Sequence, residues 1–337
     1  MAQLIFCGLL KFFISIEKRA FGWYNISKEN KIFGGLMTYE QKLKNISVPK
    51  HKIDVVLDTD AYNEIDDQFA IAYLLKSADR LDTKAIYAAP FLNSRSSSAG
   101  DGMEKSYHEI FKLLDLMGLK KEVYRGSADF LRDEKTPVIS DAALDLAKRA
   151  KEYSPKAPLY VVAIGAITNV ASAILLEPAV AENCVVVWLG GHALHFDDTR
   201  EFNMVHDIAA SRVVMASGVP FVQLPCGGVV SGFTVSKADL EYWLVGKNPL
   251  CDYLAKNTID EAEGYAHGMP WTRVIWDVTA VAWLLNDDDR FMLSRIVNTR
   301  LSDYNGVYEQ DPTDLIHRYV YYIHRDRLMK DLFDKIL

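Results

Sequence analysis

Ten consecutive positions, 58 to 67, hold four aspartates and a glutamate: Asp58, Asp60, Glu64, Asp66 and Asp67. They directly follow the apolar run Val55, Val56, Leu57. Like charges at this density repel, so the stretch needs either water around it or positive charge within it. Three chemistries fit the residue types. In a solvated turn that caps a helix, Asp66 or Asp67 would accept the first helical N–H groups and face the positive end of the helix dipole. That reading leaves Asp58 and Asp60, beside a buried strand, without a task. In a hard-cation site, Asp60 and Asp67 would converge from the two sides of the loop on an ion such as Ca²⁺, which takes about six to eight oxygen ligands. The spacing is not that of an EF-hand, and the flanks are a strand and a helix. In a phosphoryl-transfer site, Asp58 of the Asp-Thr-Asp triplet would be a nucleophile at a strand end. The triplet alone does not separate the last two.

The elements that must position these carboxylates follow from periodicity. IDVVL (53–57) precedes the acidic turn, and FAIAYLLKSA (69–78) has helical spacing. KAIYAA (84–89), KEVYRG, PLYVVAIG (158–165), CVVVWLGG (184–191) and VPFVQLPCGG (219–228) are apolar runs of strand length. Between them, EKSYHEIFKLLDLMG (104–118), AITNVASAILLE and DIAASRVVMASG read as helices. Short β-branched strands alternating with helices indicate βαβ units and an open, mostly parallel sheet flanked by helices. A helical C-terminal part is expected from about Ala238, including WTRVIWDVTAVAWLL. Such sheets bind ligands beyond the carboxyl ends of their strands. The acidic turn, Asn93, AIGAITN and LGGH all fall at such ends, so four loops distant in sequence are expected on one edge.

Bulk composition narrows the function. The chain has 337 residues, half of them apolar and 25% charged, enough for one large domain. A net charge of -7 without a Lys/Arg block does not suit a nucleic-acid binder, which relies on a basic footprint. A small uncharged or cation-assisted ligand suits it better. Cys7, Cys184, Cys226 and Cys251 are far apart and form no C-x-x-C, so reduced thiols in a cytoplasm are expected rather than a zinc site or disulfides. The apolar stretch LIFCGLLKFFISI spans 13 residues and contains Lys11, too short for a comfortable membrane span and unlike a signal peptide. Residues 1–45 are therefore expected to be a poorly packed extension or start-site artefact, with Met37 as a natural beginning, and 46–337 to be the domain. No membrane attachment is expected.

Five segments then combine. DTDAYNEIDDQFA, AIGAITNVA, WLGG, EFNMVHDIAA and WDVTAVAWL occur in this order, and together they resemble the signature segments of the nucleoside hydrolases. The first is similar to that family's D-x-D-P-G-x-D-D, with two extra residues before Asp66 and without Pro-Gly. The order supplies what a lone motif lacks. The resemblance implies an N-ribohydrolase with a tightly bound Ca²⁺ held by Asp60, Asp67, the Ile164 carbonyl and Asp277. It implies ribose contacts from Asp66, Glu201 and Asn203, with Asn93 near the position of a ribose-binding Asn and Leu189 where a Met often stands. Asp60 would take the proton from the attacking water. A homo-oligomer, dimer or tetramer, acting on a nucleoside or related N-riboside is implied as well.

One departure matters. Trp276 stands where many members carry a His that protonates the departing base, a contribution typically worth about 10²–10⁴-fold. Some purine-preferring members also have Trp there and stack aromatics on the base. Trp276, with Trp271 or His267 from YAHGMPWTR, is therefore a candidate for stacking on a purine; the alternative is a core tryptophan in an apolar helix. The insertion at Ala61–Glu64 reshapes the site edge and leaves hydrolysis of another N-glycoside open, and the missing His leaves ligand binding without turnover open. His192 and His195 are expected at the surface, Asp207 as a helix cap, and Thr168 and Asn169 as supports of the turn at Ile164.

Overall fold

The computed structural model describes residues 37–337, which belong to one compact unit. The apolar segment and the rest of 1–36 lie outside the described residues. The described part of the expected extension is packed on the domain. Its helix Tyr39–Asn45 is capped by Thr38, Lys42 Nζ donates to the Gly218 carbonyl at 3.0 Å, and Asn45 Nδ2 donates to the Pro155 carbonyl at 3.0 Å.

Six strands follow in chain order: β1 (Ile53–Thr59), β2 (Leu81–Ala88), β3 (Glu122–Arg125), β4 (Leu159–Ala163), β5 (Cys184–Leu189) and β6 (Phe221–Leu224). All of them are β-branched or aromatic for much of their length, the side chains that suit a pleated surface. Every residue of β4, β5 and β6 is buried, as expected for a sheet covered on both faces. Alternation sorts their side chains into two cores. Val55, Leu57, Tyr160 and Val162 face the layer of helices Asp66–Lys76 and Val278–Trp283. Val56, Leu159, Val161 and Ala163 face the layer of helices Asp141–Arg149, Thr168–Leu176 and Ile208–Ala216.

The C-terminal part differs from the helical expectation. Helices Lys237–Trp243, Pro249–Ala266, Val278–Trp283 and Arg325–Ile336 are present. The chain also makes a two-stranded antiparallel ribbon of β7 (Thr234–Ser236) and β8 (Thr272–Val274), and then β9 (Met292–Asn298) and β10 (Ile316–Ile323). β8 takes the Thr-Arg-Val of a segment expected to be helical, and the helix starts only at Val278. β10, rich in Val, Ile and Tyr, pairs parallel to β6, and β9 pairs antiparallel to β10 at the sheet edge.

The resulting sheet has the order β3-β2-β1-β4-β5-β6-β10-β9, parallel except for β9. From β1 the chain builds outward through β2 and β3, then returns to place β4 on the other side of β1. Neighbouring loops after β1 and β4 therefore diverge, which opens a crevice at their carboxyl ends. The acidic turn follows β1 and Ile164 follows β4, so the topology puts them at that switch point. Among the described residues, no helix is long and apolar enough to cross a membrane.

Candidate active site at the carboxyl edge of the sheet

Asp66 and Asp67 occupy the first turn of helix Asp66–Lys76, and Asp277 immediately precedes helix Val278–Trp283. One carboxylate oxygen from each lies within 4.8 Å of those of the other two, and all three residues are buried. Asp66 Oδ2 accepts the Trp276 N–H at 3.0 Å, which ties together segments 210 residues apart. Asp67 accepts from the Thr59 hydroxyl at the end of β1. The helix cap is Ile65, without a side-chain hydrogen bond, so the capping reading of the acidic turn does not hold.

Asp60 adjoins this group and is equally buried. Neither of its carboxylate oxygens has a hydrogen-bond partner. It packs against Gly165, where a Cβ would sit 3.0 Å from the Asp60 carboxyl carbon, so the turn after β4 needs a glycine to come this close. Burial, then the charges of Asp67 and Asp66, hold the Asp60 carboxyl well above the usual range. Asp277 is raised by burial and then by Asp66, Asp67 and Asp60. Asp67 is pushed up to about 6 by burial, against the hydrogen bonds it receives. The cation nearest this group, Arg273, is already engaged by Glu64 at 2.5 Å and Glu261 at 3.6 Å.

A buried carboxylate with no partner is costly unless something compensates it. Four together, with two orphaned oxygens, fit a hard divalent cation with oxygen ligands. The carboxylates grouped closely enough to hold such an ion together are those of Asp66, Asp67 and Asp277.

Asp66, Asp67 and Asp277 line a cavity of about 250 Å³ together with Ile164, Leu189, Glu201, Asn203 and Trp276, while Asp60, buried beside them, is outside the lining. Glu201 caps helix Phe202–His206: Oε1 accepts from Asn203 N–H at 2.9 Å, and Oε2 accepts from the N–H groups of Gly191 at 2.8 Å and Met204 at 3.0 Å. Asn203 Nδ2 donates to the carbonyls of Ile164 at 3.2 Å and Leu189 at 3.0 Å. The loops after β4 and β5 are thus joined by one side-chain amide. Trp276 is half-buried, with one side against the core and the other at the cavity, so it is not simply a core tryptophan.

Besides Asp60, two expected residues stand outside the lining. Asn93 supports it indirectly, donating from Nδ2 to Asn63 Oδ1 at 2.6 Å, and Asn63 lines the cavity. His267 is not brought in. It ends helix Pro249–Ala266 with its side chain 89% exposed and pairs with Glu263. Trp271 also bonds Glu263, at 3.3 Å. Asp58 is fully buried behind the site, accepting from Asn169 Nδ2 at 2.7 Å. Burial pushes its carboxyl up to about 7, opposed by that bond. Asp58 is held by Asn169 and, unlike Asp60, is not raised by the Asp66 and Asp67 carboxylates, and the nucleophile reading is dropped. Asn169 and Thr168 are structural: Thr168 donates to Asp207 at 2.7 Å, and Asp207 caps helix Ile208–Ala216.

The sequence reading missed other lining residues. Cys226 and Gly227 follow β6, where the strand-end rule could have found them. Arg200 and Phe202 flank Glu201 and had no signal of their own. His192, expected at the surface, is half-buried and lines the cavity, and its Nδ1 accepts the Gly227 N–H at 3.1 Å. Burial lowers its pKa, with Asp198 opposing. His195 is exposed, as expected.

Fold and site together define a class: a parallel α/β protein with a carboxylate-walled, cation-fitting cavity at its switch point. Residues 55–312 match the family described as inosine-uridine preferring nucleoside hydrolase, and the chain belongs to that family of N-glycosidases. It is similar to the non-specific ribonucleoside hydrolase RihC of Salmonella enteritidis, at 27% identity over 266 residues, 70% of this chain and 79% of that one. Its fold matches an inosine-guanosine nucleoside hydrolase at a TM-score of 0.67 and 19% identity, over 84% of this chain and 98% of that one. It also matches a purine-preferring ribonucleoside hydrolase from Gardnerella vaginalis at 0.65 and 18%, again over 84% and 98%.

Proposed function

We propose that this protein is a Ca²⁺-dependent hydrolase that cleaves the N-glycosidic bond of ribonucleosides to ribose and free base, with a lean toward purines. The observation that carries the reading is the buried group of Asp66, Asp67 and Asp277 beside the unpartnered carboxylate of Asp60. Breaking an N-ribosidic bond leaves positive charge on the sugar, and a wall of buried carboxylates stabilises charge that develops there. Asp60 takes the proton of the attacking water, since its oxygens have no other hydrogen-bond partner. Asp66, Glu201 and Asn203 orient the ribose hydroxyls. When bound at Asp60, Asp67, Asp277 and the Ile164 carbonyl, a divalent cation supplies Lewis-acid polarisation and orientation. Trp276 offers a face to the base, and a two-ring purine gains more from it than a pyrimidine. A homo-oligomer and a cytoplasmic location belong to the same proposal.

The test is a panel of ribonucleosides incubated with the purified protein and Ca²⁺, with free ribose assayed as reducing sugar. Release from purine nucleosides that stops on chelation is the expected result. No release from any nucleoside, with Ca²⁺ verified as bound, removes the assignment. That outcome would favour the second reading, a nucleoside- or ribose-binding protein or a hydrolase of another N-glycoside. The observation behind that second reading is the Trp at 276, which cannot serve as an acid.

A further inference from the structure

A base that departs without help must carry the bonding electron pair of its nitrogen unaided. The cavity offers few free donors to meet it. Asn203 Nδ2 is spent on two carbonyls, and the Trp276 N–H is spent on Asp66. Arg200 reaches the Asn305 carbonyl at 3.3 Å from the exposed rim. His192 differs from all of these. A backbone N–H can only donate, so the Gly227 N–H fixes Nδ1 of His192 as an acceptor. In the neutral ring the proton is therefore on Nε2.

The placement of the ring is built rather than incidental. The loop after β5 is clipped to the loop after β6 three times, by the Cys226 N–H on the Gly191 carbonyl at 2.8 Å, by the Ala193 N–H on the Gly227 carbonyl at 2.9 Å and by the Gly227 N–H on His192. The Tyr308 hydroxyl donates to the His192 carbonyl at 2.8 Å. A Cβ at position 227 would come 2.6 Å from Nδ1, so the ring can take this place only beside glycine. A solvated surface histidine would need none of these contacts.

We propose that His192 is the leaving-group donor of this enzyme, its Nε2–H bonding to the departing base in place of the acid that Trp276 cannot supply. The inference rests on the ribonucleoside-hydrolase reading. In the step, the C1′–N bond breaks and its electron pair goes to the base, where the Nε2–H hydrogen bond spreads the charge. Water oxygen bonds to C1′, and its proton passes to Asp60 and then to solvent. The base takes one proton from solvent, so one water is consumed and His192 is unchanged.

The experiment compares inosine with p-nitrophenyl riboside, whose phenolate leaves without a proton. Wild type should hydrolyse both. His192→Phe keeps a ring and removes the donor, so kcat on inosine should fall about 10²-fold, the usual effect of deleting one such donor. The loss on p-nitrophenyl riboside should be far smaller. His192→Gln, which retains an N–H, should recover part of the inosine rate, and Gly227→Ala, which displaces the ring, should show the same selective loss as His192→Phe. Equal losses on both substrates would mean a structural role and overturn the proposal. So would no loss on either, or a selective loss that belongs to Arg200→Met instead. Wild type inactive on both substrates would overturn the ribonucleoside-hydrolase reading itself. Wild type active on both, with His192→Phe unchanged, would overturn only the role of His192.

Discussion

The chain has two dense acidic stretches, and they behave in opposite ways. In Asp58 to Asp67 the four aspartates are buried, and their carboxyls sit above their usual range. Asp287, Asp288 and Asp289 lie in a short turn between helix Val278–Trp283 and β9, where Asp288 and Asp289 are exposed. There Asp287 pairs with Arg80 at 2.7 Å, and that bond lowers its pKa. Water and a guanidinium handle the second cluster; in the first, the guanidinium of Arg273 goes to Glu64, and both oxygens of Asp60 are left without a partner. Acid density in a sequence therefore does not mark a site. Burial without countercharge does, because only there does repulsion go unscreened.

The largest contrast is expected in activity. Asp67→Ala and Asp277→Ala should each abolish divalent-cation binding by calorimetry and reduce ribose release to background, whereas Asp287→Ala should alter neither. Full activity in either site variant would remove the metal assignment. Next comes the base: Trp276→Ala should cost about 1–3 kcal/mol of binding, the usual worth of one stacked base. If KM and rate stay unchanged for every nucleoside, Trp276 does not stack.

Stability should respond with opposite sign in the two regions. In chelator, Asp66→Asn keeps the acceptor for the Trp276 N–H and removes a repelling charge, so urea unfolding should show a gain of about 1–2 kcal/mol. A loss of stability would show that the cluster is compensated in some other way. The pH dependence follows the same logic. A raised folded pKa means that stability is full below the unfolded pKa and is lost as pH rises through the folded one. For Asp67, pushed up to about 6, metal-free stability should thus decline from about pH 4 through 6. Asp287, with its lowered pKa, contributes stability that is lost only as pH falls below the usual carboxylate range. A chelated protein that gains stability over pH 4 to 6 would contradict the first trend. The smallest effect is Asp287→Asn, worth no more than about 1 kcal/mol for a half-exposed pair.

Much of the fold was legible because its strands are buried on both faces, which makes them short apolar runs, and because helices separate them. β1, β4 and β5 were read within a few residues of their ends. β9 and β10 were not, since they follow helices in a region without βαβ rhythm, and pairing with β6 alone makes them part of the sheet. Asp66, Asp67, Glu201, Asn203 and Asp277 were read from short segments of the sequence, and the structure brings all five to one cavity; Asp60 stands beside it. His267 was read by proximity to an aromatic segment, but the helix before it carries the side chain into solvent. His192 was read as a surface residue because its partner, Gly227, comes from another strand's loop.

The sequence by itself determined the alternation of strand and helix, the carboxylates at the end of β1, and the Trp at 276. These are local properties of periodicity and residue type. Tertiary structure decided that Asp277 meets Asp66 and Asp67, that Asp60 has no partner, that Arg273 is engaged by Glu64, and that Gly227 fixes the tautomer of His192. Each depends on residues distant in the chain, and burial and countercharge exist only once the sheet order brings those residues together.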